Sequence, residues 1–118
     1  MTKKALHLVS ELSTLMDATE RLRETLARYK RASASLARRI EGGASVFEAF
    51  DDMDGAMHRH RELTEMLEEF ERARHQVRLA LFELAGAQGA SMSELGRRLG
   101  ISRQLASRLA KEAAAAGS

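Results

Sequence analysis

The sequence predicts an all-α protein: a long antiparallel helical hairpin of coiled-coil type, followed by a C-terminal trihelical unit. Three observations carry that expectation. The 118 residues contain no proline and are rich in Ala, Leu, Glu and Arg, which cost little in a helix. Apolar residues recur at alternating spacings of three and four through the first forty positions, the period of a helix with one buried stripe. No window alternates apolar and polar residues between turn residues, and β-branched residues are sparse, so nothing reads as a strand.

Residues 3–40 read as one helix. Ala5, Leu8, Leu12, Leu15, Thr19, Leu22, Leu26, Tyr29, Ser33, Leu36 and Ile40 form its seam. At 1.5 Å per residue it spans about 57 Å, and a helix apolar on one side needs a partner. Val9 and Met16 widen the stripe, which predicts deeper burial near the start. Gly42 and Gly43 stop this helix, and Ser45 with Glu48 is a capping box for the next. So short a loop favours antiparallel neighbours, with opposed residue numbers summing to about 86.

The second long helix covers residues 46–86. Asp54 and Gly55 leave open whether it is continuous or sheds a short helix at residues 46–52. Its end, VRLALFELA at residues 77–85, is apolar nearly all round and so must be buried on several sides. Gly86, Gln88 and Gly89 supply a loop.

Residues 91–113 then carry the most specific pattern. Ser91 and Glu94 make a second capping box and open a helix from Met92 to Leu99. Gly100 falls where a helix closes in a left-handed residue, and Ser102 caps a further helix from Arg103. Leu95, Leu99, Ile101, Ala106 and Leu109 face one another, with Gly96 small where the two helices cross. The opposite face is Arg and Gln.

The stretch GRRLGISRQLASRLAKE resembles the helix-turn-helix of bacterial DNA-binding proteins, close to resolvase-like and response-regulator-like domains. Counting the preceding helix, the resemblance covers about 35 residues. Gly96 stands where Ala is commoner and Ala106 where Val or Ile is commoner. The resemblance implies that the second helix lies in the major groove and that Ser102, Arg103, Gln104, Ser107 and Arg108 meet base edges. Arg suits the paired acceptors of guanine and Gln the donor and acceptor of adenine. Ser91, Arg97, Arg98 and Lys111 would meet phosphate. No residues remain for the β-hairpin wing of a winged-helix domain, which counts against the marR-like and arsR-like classes, though their wing is the only part excluded.

Net charge is +2, distributed as +4 over residues 1–41, −5 over residues 42–87 and +3 over residues 88–118. The basic run Arg28, Lys30, Arg31, Arg38 and Arg39 is expected to pair with Glu48, Asp51, Asp52 and Asp54 across the hairpin rather than to touch DNA. His58 and His60 stand on different helix faces, His60 on the seam and partly buried, and with His75 and no Cys they complete no metal site. No phosphate loop or H-E-x-x-H is present and the serines occupy caps and turns, so no catalytic residue and no cofactor is expected. Lys3 and Lys4 precede no unbroken apolar run, so residues 1–12 are not read as a signal peptide, and no membrane partner is expected. The expected location is the cytoplasm, on the nucleoid.

The resulting organisation is residues 1–76 as a hairpin that dimerises through Leu8, Leu12, Leu15, Leu22, Leu26, Tyr29 and Leu36, residues 77–113 as the helix-turn-helix unit, and residues 114–118 as a disordered tail. One recognition helix buries little surface, so a homodimer on two half-sites of double-stranded DNA is expected. The predicted function is a sequence-preferring transcriptional regulator. The alternatives are a low-specificity nucleoid-associated protein that bridges DNA and a coiled-coil adaptor for a protein partner. Nothing in the sequence marks an effector pocket.

Overall fold

A computed structural model describes residues 1–53 and 55–116. They form five helices: α1 (Lys3–Glu41), α2 (Val46–Asp51), α3 (Ala56–Ala87), α4 (Met92–Leu99) and α5 (Arg103–Ala116), with no strand among the described residues. The fold class is the all-α one expected. No described helix is long and apolar enough to cross a membrane.

The chain divides into two compact units. One comprises residues 17–70: most of α1, all of α2 and the first half of α3. Here α1 and α3 run antiparallel, tied by ion pairs from Arg21 to Glu69 and from Arg28 to Glu62. Those positions sum to 90, one helical turn away from the expected register. The cause is α2. The second long helix is interrupted between α2 and α3, so α2 belongs to the connection and the pairing centre shifts along the chain. Arg39 reaches Asp52 at 3.5 Å, as the charge pattern suggested, but Arg28 chooses Glu62 of α3 instead of an acid of α2. Asp54 lies outside the described residues.

Two hydrogen-bond patterns explain where these helices end and start. Gly43, at φ 96°, donates to the Ile40 carbonyl and Ala44 donates to that of Arg39, closing α1 through a backbone conformation that a side chain would strain. Ser45 Oγ then accepts the Glu48 amide at 3.2 Å, and its hydroxyl donates to the Glu48 carboxylate at 3.0 Å.

The inward face of α1 differs from the seam read off the sequence. Leu8, Leu15, Leu22 and Leu36 are partly buried as expected, but the positions between them turn inward at Glu11, Ala18, Thr25, Ala32 and Arg39. Ala18 and Thr25 are its two buried residues. Leu12, Leu26, Tyr29 and Ile40 lie outward, at 38, 46, 36 and 42% exposure. Val9 and Met16 do not deepen burial at the start of α1 either; both are exposed. Thr25 is satisfied where it is buried: its hydroxyl donates to the Glu62 carboxylate at 3.2 Å, beside the Arg28 guanidinium.

The other unit comprises residues 1–16 and 71–118. Its apolar cluster is Phe82 of α3 with Ala106, Leu109 and Ala113 of α5, surrounded by Leu79, Met92, Leu95, Ile101, Leu105 and Ala110. Phe82 and Leu109 are its largest wholly buried side chains. The apolar end of α3 thus supplies the floor on which α4 and α5 rest, as its all-round apolarity required. Leu99 is the exception among the expected core residues, being exposed. The tail expected from residue 114 is helical to Ala116, and Ala113 is buried. Gly117 and Ser118 lie outside the described residues.

Candidate nucleic-acid interface

The surface formed by α4 and α5 is fixed by its caps. Ser91 Oγ accepts the Glu94 amide at 3.3 Å and starts α4. Gly100, at φ 71° and ψ 26°, ends it: the Gly100 amide donates to the Arg97 carbonyl and the Ile101 amide to that of Gly96, both at 3.1 Å. This doubly bonded turn reverses the chain in three residues, because glycine takes the left-handed conformation without a Cβ clash. Ser102 Oγ accepts the Leu105 amide at 3.1 Å and opens α5.

Gly96 is buried where the helices cross, and a Cβ built there would lie 2.8 Å from the Ala106 Cβ. The crossing is set by backbone proximity rather than by long side chains. α5 is held further by Leu109 and Ala113 against Phe82, and by His75 of α3, whose Nε2 lies 2.9 Å from the Glu112 carboxylate. Every side chain that holds α5 therefore sits on one side of it.

Ser102, Arg103, Gln104, Ser107 and Arg108 are all exposed. Arg103, Ser107 and Lys111 follow one another at four-residue spacing, and they line a groove of about 430 Å³ with Ser93, Arg97 and Ser102. Gln104 and Arg108 stand about 100° further round α5, outside that groove. The five positions suggested for base contact thus divide into an edge beside α4 and an outer edge. Arg103, Arg108 and Lys111 make no ion pair among the described residues.

The positions suggested for phosphate contact fare differently. The Ser91 hydroxyl is engaged in its cap. Arg97 and Arg98 both bind Glu94: Arg97 Nε at 3.1 Å and Arg98 Nε at 3.2 Å from its carboxylate oxygens. The Glu94 carboxylate therefore does not reach back to the Ser91 amide as a full capping box would require. The Arg97 hydrogen bond first, and that of Arg98 second, hold its carboxyl below the usual carboxylate range. Sequence reasoning missed this neutralising role, although the i+3 and i+4 spacings of Glu94, Arg97 and Arg98 already announce it. Ser93 was missed as well; it joins the groove from the first turn of α4.

His58 lies 3.6 Å from Glu62, and His60 is exposed rather than partly buried in the seam. Among the described residues no three His, Cys, Asp or Glu side chains gather where a metal ion could be held.

A profile of the MarR family matches residues 75–118, the end of α3 together with α4 and α5. The match supports a helix-turn-helix DNA-binding domain and a DNA-binding transcription regulator. It corrects the resemblance to resolvase-like and response-regulator-like domains. It also runs against setting marR-like domains aside for want of a wing, since the match falls on the end of α3 with α4 and α5. No curated protein and no solved structure matches the chain.

Proposed function

We propose that this protein is a dimeric, sequence-preferring regulator that binds double-stranded DNA by laying α5 in the major groove. Arg103 and Ser107 on one edge of α5, and Gln104 and Arg108 on the other, are the base-reading positions, with Ser102 at the helix start. Lys111 meets phosphate directly, whereas Arg97 and Arg98 do so only in competition with Glu94. The observation that carries this reading is the division of α5 itself. Its Ala106, Leu109 and Ala113 side is consumed by packing, while the side bearing two free arginines is wholly exposed, within a segment that matches a DNA-binding family.

The domain roles follow. Residues 77–113 form the DNA-binding part, and residues 1–76 form the dimerising part. Dimerisation is favoured by the exposed apolar residues of α1: Leu12 in one unit, and Leu26, Tyr29 and Ile40 in the other. Of the expected dimer positions, Leu8, Leu15, Leu22 and Leu36 are already partly buried within the chain, which leaves Leu12, Leu26 and Tyr29 available to a second copy. Two copies would bind half-sites about one DNA turn, roughly 34 Å, apart. The site of action is the bacterial-type nucleoid in the cytoplasm.

Selection of bound fragments from random duplex DNA, followed by Arg103→Ala and Arg108→Ala, tests the reading. Each variant should lose about 1–3 kcal/mol on the selected site with helix content intact. Unchanged affinity would sink it. A DNA-bridging protein without sequence preference would instead enrich no site and lose affinity on all sequences alike as salt rises.

A further inference from the structure

The helix α5 carries a single acidic side chain, Glu112, and it stands four residues after Arg108. Residues so spaced are neighbours on a helix surface, and opposite charges there attract. On α4 that attraction is realised, since Glu94 takes both Arg97 at i+3 and Arg98 at i+4. On α5 it is not. Glu112 turns to α3 instead, its carboxylate 2.9 Å from His75 Nε2, and Arg108 makes no ion pair among the described residues.

Two features of the fold bring this about. His75 stands two turns before Phe82 on the same side of α3, so the face that packs on Leu109 and Ala113 also presents the imidazole to α5. Glu112 lies about 40° round α5 from Arg108, toward Leu109, on the border between the outer edge and the packed side. Both partners of the contact are roughly half exposed, so it adds little to stability. Its effect falls on Arg108.

We propose that His75 is a positioning residue for DNA binding: it diverts Glu112 from Arg108 and so keeps that guanidinium free for the duplex. The role of Arg108 rests on the DNA reading of α5, whereas the diversion is a property of the free protein.

Titration of the selected duplex at low salt with His75→Ala, Glu112→Ala and the double variant tests the proposal, with helix content followed by circular dichroism. His75→Ala should bind about two- to threefold more weakly, because Glu112 is then released to Arg108, and the loss should shrink as salt rises. Glu112→Ala should bind at least as tightly as wild type, and the double variant should match it. A contact that merely braced α5 behaves differently: Glu112→Ala would weaken binding as much as His75→Ala, with no recovery in the double variant, and that result would overturn the proposal. Wild-type affinity in His75→Ala would overturn it too. The Arg108 Nε–H resonance of the DNA-free protein is the second readout; it should move in His75→Ala and return in the double variant. An unmoved resonance overturns the diversion whatever the duplex does. If the resonance moves as described but the wild-type chain binds no duplex, the DNA reading fails and the diversion stands without it.

Discussion

Gly96 and Ala106 form a matched pair of small residues at the crossing of α4 and α5, with 2.8 Å between the Ala106 Cβ and the place a Cβ on Gly96 would occupy. Taken singly, each is smaller than helix-turn-helix patterns usually carry at its position. Taken together they are one adaptation: neither position can grow while the helices remain this close.

Gly96→Ala should therefore cost about 1–3 kcal/mol, by overpacking against a backbone-supported neighbour. Ala106→Gly placed in the same chain should return part of that loss. A double-mutant cycle by urea denaturation measures the coupling, and purely additive effects would refute the matched-pair account. Ala106→Val should destabilise too, although a β-branched residue is commoner there in such motifs.

Much of this unit was legible in the sequence, because caps and turns are local. Ser91, Gly100 and Ser102 each act on amides within three residues, so spacing alone announces them. The phase of α1 was not. Its inward line includes Glu11, Ala18, Thr25 and Ala32, small or polar residues to which a count of large apolar side chains is blind. Of the seam read from the large side chains, Leu12, Leu26 and Ile40 face outward. The register was missed because the second long helix is interrupted between α2 and α3. The wing argument bore only on an appendage, whereas the family likeness lies in the helices.

The outward line gives a prediction for assembly. Leu12→Glu and Leu26→Glu should leave helix content intact and lower the mass seen by light scattering from dimer to monomer at micromolar concentration. Glutamate at the inward Ala18 should instead unfold the chain, since it buries an unpaired charge. A wild-type monomer would remove the dimer from the proposed function.

Glu94 holds Arg97 and Arg98, so on the proposed reading it would compete with DNA phosphate for them, and its removal should be visible in the salt dependence. Glu94→Gln should raise affinity for all duplexes at low salt. It should also steepen the dependence of log K on log salt by about 0.9 for each phosphate newly engaged. An unchanged slope would mean that these two arginines do not reach the backbone.

Acid stability follows from Glu62. The Arg28 hydrogen bond, with Thr25 assisting and burial opposing, holds the Glu62 carboxyl below the usual range. A group whose folded pKa is depressed stabilises fully above its unfolded value, about 4.3 for Glu, and loses that stabilisation as pH falls through the folded value. Glu62→Gln should therefore be less stable than wild type at neutral pH and converge with it as pH drops below about 4. Thermal melts followed by circular dichroism provide the check, with parallel curves at all pH values counting against the ion pair. Thr25→Val, which keeps the shape and removes one donor, should cost about 1 kcal/mol.

On α5 the residues that hold the helix and those offered outward are separate sets: Ala106, Leu109 and Ala113 on one side, Arg103, Gln104, Ser107 and Arg108 on the other. Exposed positions of this kind tolerate exchange within about half a kilocalorie per mole. The vocabulary of this surface can therefore drift, residue by residue, without any compensating change in the interior. Descendants of one such gene can acquire new binding preferences while folding remains as it was.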